Sequence, residues 1–160
     1  MRNSSLKETI QNWLKTRLED PITKILAEGS NLTITQLETL LIDVLAENMA
    51  QKHLKYEEKA TFRRKAENIS RGAFNRTLGQ AKDNIRRSMY TILLLGYLGI
   101  LNHDNFIHYQ EASNTLQSYM EAVKQLVDRS NGSRKQAQIA NLLREELEKS
   151  LKQITQRQNR

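Results

Sequence analysis

Apolar residues recur at intervals of three and four along nearly the whole chain, and almost nothing interrupts them. Of 160 residues, one is proline (Pro21) and six are glycine. Strand-rich folds need frequent turn residues between short alternating runs, and no stretch here sustains such alternation. The pattern therefore specifies an all-α chain. Hydrophobic residues make up 38% and charged residues 27%, a balance suited to small or elongated helical proteins in which much of each helix stays wet. This length holds one domain with a real core, or a small domain with an oligomerisation extension.

The stripes delimit the helices. Leu6, Ile10, Trp13, Leu14, Leu18, Ile22, Ile25 and Leu26 share a face over residues 6–28, and Asp20-Pro21 predicts a kink or break inside it. After Gly29-Ser30-Asn31, the run Thr35-Gln36-Leu37-Glu38 matches a capping box. The helix it opens carries Leu37, Leu40, Leu41, Val44, Leu45 and Met49. A third helix is expected over residues 56–67, followed by Asn68 as a left-handed turn residue and Ser70 as an N-cap. From Arg71, the residues Phe74, Leu78, Ala81, Ile85, Met89, Ile92 and Leu93 hold one face. Unbroken to residue 98, this helix measures on the order of 40 Å, with Gly99 or Asn102 as its terminator. Two further helices follow, striped by Phe106, Tyr109, Leu116, Met120, Val123, Leu126 and Val127 and then by Ile139, Leu142, Leu143, Leu147, Leu151 and Ile154, with Ser130-Asn131-Gly132-Ser133 as the turn between them. The most apolar run, Ile92 to Leu101, has ten residues. A membrane span needs about twenty, so a buried helix is expected there.

Charge is concentrated. Between Lys52 and Arg87 lie eleven Lys or Arg against four acids, whereas fourteen basic and fourteen acidic residues cancel elsewhere. The whole formal excess of +7 thus falls within residues 52–88, as electrostatic binding to a polyanion requires.

Within that segment, Ile69-Ser70-Arg71-Gly72-Ala73-Phe74-Asn75-Arg76-Thr77-Leu78 has the properties of a recognition helix. Ser70 caps it, Ile69, Phe74 and Leu78 face inward, and Arg71, Gly72, Asn75 and Arg76 lie on the outer side near its start. Gly72 allows close approach to a surface. The stretch resembles the second half of the helix-turn-helix of bacterial and archaeal transcription regulators, on the matching positions Ile69, Ser70, Phe74, Arg76 and Leu78. Ala73 and Asn75 stand where that family has Thr and Ser. Arg64, Glu67 and Asn68 replace its usual Ala, Leu and Gly in the preceding helix and turn. The resemblance implies a helix-turn-helix over about residues 56–88 and binding to double-stranded DNA. Asn75 would pair with adenine, and Arg71 or Arg76 with guanine. Lys59, Arg63, Arg64, Lys65, Ser70, Gln80, Lys82, Arg86 and Arg87 would contact the backbone.

No glycine loop for phosphate, nucleophile elbow or paired-carboxylate site stands out, so no enzymatic activity and no cofactor are expected. Cysteine is absent, which removes disulfides and thiolate zinc sites. His103 and His108, five residues apart, do not share a helix face and give no metal site. The absence of cysteine and of a secretory signal fits a cytoplasmic, nucleoid-associated protein. The expected organisation is a helical domain over residues 1–102 containing the helix-turn-helix, and a helical hairpin over residues 103–160. The hairpin would serve packing, a protein partner or a homodimer that reads two half-sites about 34–36 Å apart. The competing reading is a non-enzymatic helical adaptor whose basic face binds a protein or structured RNA.

Overall fold

The computed structural model describes residues 2–64, 69–101, 103–127 and 132–155. Their regular structure is entirely helical: α1 (Arg2–Glu19), α2 (Pro21–Glu28), α3 (Ile34–Ala50), α4 (Tyr56–Ala60), α5 (Arg71–Tyr97), α6 (His103–Val127) and α7 (Gly132–Thr155). Lys65, Asn68, Asn102 and the expected turn residues Ser130 and Asn131 lie outside the described residues. The chain divides into two compact units, Met1–Ser88 and Met89–Arg160. The boundary between these units falls within α5.

Local chemistry sets the helix ends of the first unit. Pro21 is the first residue of α2, and the Asp20 side chain accepts from the Thr23 amide at 2.8 Å. Asp20, the one residue between α1 and α2, therefore caps α2, and proline fits the first turn because it removes only an amide with no helical partner. The capping box of α3 lies two residues before the expected one. Gln36 N–H donates to Thr33 Oγ1 (3.2 Å) and Thr33 N–H to Gln36 Oε1 (3.1 Å). Glu38, expected in that role, is instead turned into the interior.

The core of the first unit gathers Ile10, Leu14 and Leu18 of α1, Ile42 and Ala46 of α3, and Phe74 and Leu78 of α5, together with Leu54, Ala60 and Phe62. α3 is rotated from the face its leucines suggest. Thr39, Ile42 and Ala46 are buried, whereas Leu37, Leu40 and Leu41 are half-buried and Val44 is 59% exposed. The helix expected over residues 56–67 is five residues long. The Arg64 amide, which a continuing helix would direct to Ala60, donates to Glu38 Oε1 at 3.0 Å. Phe62 sits in the core.

In the second unit α6 and α7 form a hairpin whose seam buries Ala112, Ala140, Leu143 and Leu147. Tyr119 donates to Glu146 across it, and partial burial together with that carboxylate pushes the phenol pKa up. α5 ends where Gly99 takes a positive φ of 69°, and the amides of Ile100 and Leu101 turn back onto Leu95 O at 2.9 and 3.1 Å. The apolar run of α5, expected to be buried, is exposed instead: Leu93 by 65%, Leu94 by 56%, Tyr97 by 88% and Leu98 by 57%. Among the described residues no helix is long and apolar enough to cross a membrane.

Phe74 is fully buried and its ring lies 6.3 Å from that of Tyr56. Phe74→Ala is expected to lower the unfolding free energy by about 3–5 kcal/mol, read from urea midpoints. A change below about 1 kcal/mol would mean that α5 is held by other contacts.

Candidate nucleic-acid interface

The start of α5 is built as its sequence suggests. Ser70 Oγ accepts from the Ala73 amide at 3.2 Å and Ser70 O from the Phe74 amide at 3.0 Å, so the side chain and the backbone each satisfy one of the first free donors. Phe74, Leu78 and Ala81 fix the inner face. Gly72, Arg76, Gly79, Asp83, Arg86 and Arg87 then follow one another at helical spacing on the opposite side, all exposed. A Cβ at Gly79 would meet nothing within 4 Å, and one at Gly72 only Ser70 Oγ at 3.9 Å. The backbone is therefore bare on this face.

The candidate residues fall into distinct groups. Arg76 and Gln80 are exposed, and Arg76 has no ion-pair partner among the described residues. Arg71 is exposed and pairs with Glu57 at 3.1 Å, and Arg86 pairs with Asp83 at 2.8 Å. Arg87 is exposed on the same side. Asn75 lies toward the flank of the helix, with its Oδ1 buried and without a hydrogen-bond partner among the described residues. Pairing with an adenine edge needs both ends of the amide, so Asn75 would have to change rotamer to read a base.

Of the other expected phosphate contacts, Lys59, Arg63 and Arg64 are built into the fold and Lys82 is paired at its edge. Glu38, 4% exposed, takes Arg64 Nε at 3.2 Å, Arg63 Nε at 3.5 Å and the Arg64 amide. Arg64 also reaches Glu19 at 3.5 Å, and Gln11 donates to Arg63 O at 3.3 Å. The Lys59 side chain is 7% exposed; its ammonium lies 2.9 Å from Asp43 Oδ1 and 3.0 Å from Glu47 Oε1, and it donates to Asp43 O at 3.3 Å. Lys82 holds the other Asp43 oxygen at 3.0 Å. Lys59, Arg63 and Arg64 therefore have little charge to offer a ligand, and Lys82 shares its own with Asp43. The acids responsible (Glu19, Glu38, Asp43 and Glu47) all lie before residue 52, outside the segment in which the basic excess was counted. Chain separations of 12 to 45 residues hide these pairs from sequence reasoning.

Electrostatics follow from this geometry. Burial pulls the Asp43 carboxyl upward, but hydrogen bonds from Lys59 and Lys82 outweigh it and its pKa stands lowered. The Lys59 hydrogen bond likewise lowers Glu47. Burial would lower the Lys59 ammonium, yet bonds and charges from Asp43 and Glu47 raise it. Among the described residues no group of three His, Cys, Asp or Glu could hold a metal ion. Comparison with protein families, with characterised proteins and with solved structures found no match.

Two outcomes follow. Asp43 and Glu47 titrate lower in the folded than in the unfolded chain, so the unfolded state binds more protons and stability rises with pH through that interval. Their contribution is complete above the ordinary values of 3.8 and 4.5 and is lost as pH falls through the lowered ones. Lys59, raised above 10.5, loses its contribution only beyond that pH. Urea midpoints are therefore expected to drop below about pH 4.5, less steeply in Asp43→Asn. A wild-type-like slope in Asp43→Asn would remove Asp43 as a cause. Glu38→Ala is expected to cost about 3 kcal/mol, since it strands the enclosed Arg63 guanidinium and leaves Arg64 only its exposed Glu19 partner. Glu57→Ala, at an exposed pair, should cost less than about 1 kcal/mol, both by urea unfolding.

Proposed function

We propose that this chain is a non-enzymatic protein that binds double-stranded DNA through the outer face of the first half of α5. The supporting observation is a helix whose inner face is locked by Phe74, Leu78 and Ala81, while its outer face carries Arg76, Arg86 and Arg87 beside the bare backbone at Gly72 and Gly79. A rigid helix with exposed cations matches the dimensions of the major groove. Arg71, Arg76, Arg86 and Arg87 contact phosphates, and Gln80 lies within reach of the same backbone. With α4 only five residues long, the first half of a helix-turn-helix contributes little, and α5 carries recognition. Transcription regulation and a nucleoid location belong to this reading if binding is sequence-selective.

A second reading, a helical adaptor that docks an acidic protein, is supported by the engagement of Lys59, Arg63 and Arg64 inside the fold, which leaves fewer outward cations than the sequence count.

The test is a salt titration of binding to a random-sequence duplex. Three to four phosphate contacts predict a slope of log K against log salt of about −3. Arg76→Ala is expected to weaken binding and reduce the slope by about one. Absence of binding at low salt, or a salt-independent affinity, would overturn the proposal. Stronger competition by duplex RNA than by duplex DNA would do so as well, because the A-form major groove does not admit a helix.

A further inference from the structure

The end of α5 and the residues that follow it are the most unusual surface of the molecule. Met89 to Leu101 is a run of thirteen residues without a single charge. Met89 is 56% exposed, Tyr90 66%, Ile92 45%, Leu93 65%, Leu94 56%, Tyr97 88%, Leu98 57% and Ile100 54%. On α5 these positions sweep through more than half of the circumference, with Leu98 and Ile100 just beyond its end, and a helix apolar over so wide an arc is stable only when covered. Isolated exposed hydrophobic residues are ordinary, but a contiguous apolar surface of this extent marks an interaction site.

We propose that this segment is the self-association surface of the chain, occupied by the same segment of a second copy. Three observations favour that occupant. At on the order of 200 Å² for a fully accessible side chain of this size, the exposed fractions offer roughly 900 Å², the scale of the about 800 Å² per partner in a standard stable interface, with the arc that faces a second copy taking part of it. The surface bears no charge, so it offers nothing for a partner of opposite charge to complement, whereas an isologous contact needs only self-complementary shape. Exposed Met89, Leu93 and Tyr97 follow one another at spacings of four on α5, the arrangement by which two helices interdigitate. A lipid surface fits less well, because the segment lacks the cationic polar face of interfacial helices. Thirteen residues also fall short of the about twenty needed to span a bilayer. The C-terminal helices, where the sequence suggests pairing, already bury Leu143 and Leu147 in their own hairpin.

The test uses the full chain without nucleic acid, so that its outcome is independent of DNA binding. Sedimentation velocity from 1 to 100 µM, chosen to bracket the about micromolar affinities of many such interfaces, is expected to show the mass of two chains. Leu93→Glu/Tyr97→Glu replaces two side chains that support no core, so helicity should be retained while dimer dissociation weakens at least about 100-fold. Leu142→Glu, at an exposed position on α7, should leave the dimer intact. A wild-type monomer throughout, a double variant that still dimerises, or dissociation by Leu142→Glu alone would overturn the proposal. So would a monomeric chain that sediments with vesicles of neutral phospholipid, which would make lipid the occupant.

Discussion

The ammonium of Lys59 is almost closed off from water and held by two carboxylates of α3, Asp43 and Glu47. A lone ammonium in that position would have to lose its proton, because burying an unpaired charge costs more than the fold could bear. The pair fixes α4 against α3. Lys82, on the remaining Asp43 oxygen, fixes α5 to the same point. One turn earlier on α3, Glu38 does the same for Arg63 and Arg64 and so pins the segment that leaves α4. Buried pairs of this kind add little net stability over well-packed apolar groups. They coexist with the one rotation of α3 that buries Thr39, Ile42 and Ala46.

The packing of α5 decides what it can present. With Phe74, Leu78 and Ala81 set into the core, the opposite side of the helix faces water and carries Arg76, Arg86 and Arg87. The positive charge available to a ligand is consequently less than the formal charge of the segment. The pair of Arg86 with Asp83 is an exposed one, and exposed pairs exchange partners at small cost. A phosphate could therefore compete for that arginine, whereas none could extract Lys59.

α5 also changes character along its length. Up to Ser88 it has one buried and one charged face, as expected of a helix lying on a domain. From Met89 onward it is apolar over more than half of its circumference, and the change coincides with the boundary between the two compact units. A single helix thus joins a region organised by internal ion pairs to one whose apolar surface is incompletely covered by its own chain.

The sequence by itself determined the class of the fold and most of its helices. Periodicity marked the stripes of α1, α5 and α7, Pro21 marked the break between α1 and α2, Ser70 the start of α5 and Gly99 its end, because each of these is a local backbone preference acting within one turn. The outer residues of α5, Arg71, Gly72, Arg76 and Gln80, were legible for the same reason: helical geometry places them once the helix is known. Only the tertiary structure decided the rest. It moved the α3 cap from Thr35 to Thr33, shortened α4, engaged Lys59, Arg63 and Arg64 internally, turned the Asn75 oxygen inward and left the apolar run of α5 uncovered. Each of these depends on carboxylates or apolar surfaces distant in the chain, and Coulomb and packing energies are set by distance in space, to which spacing along a sequence is blind.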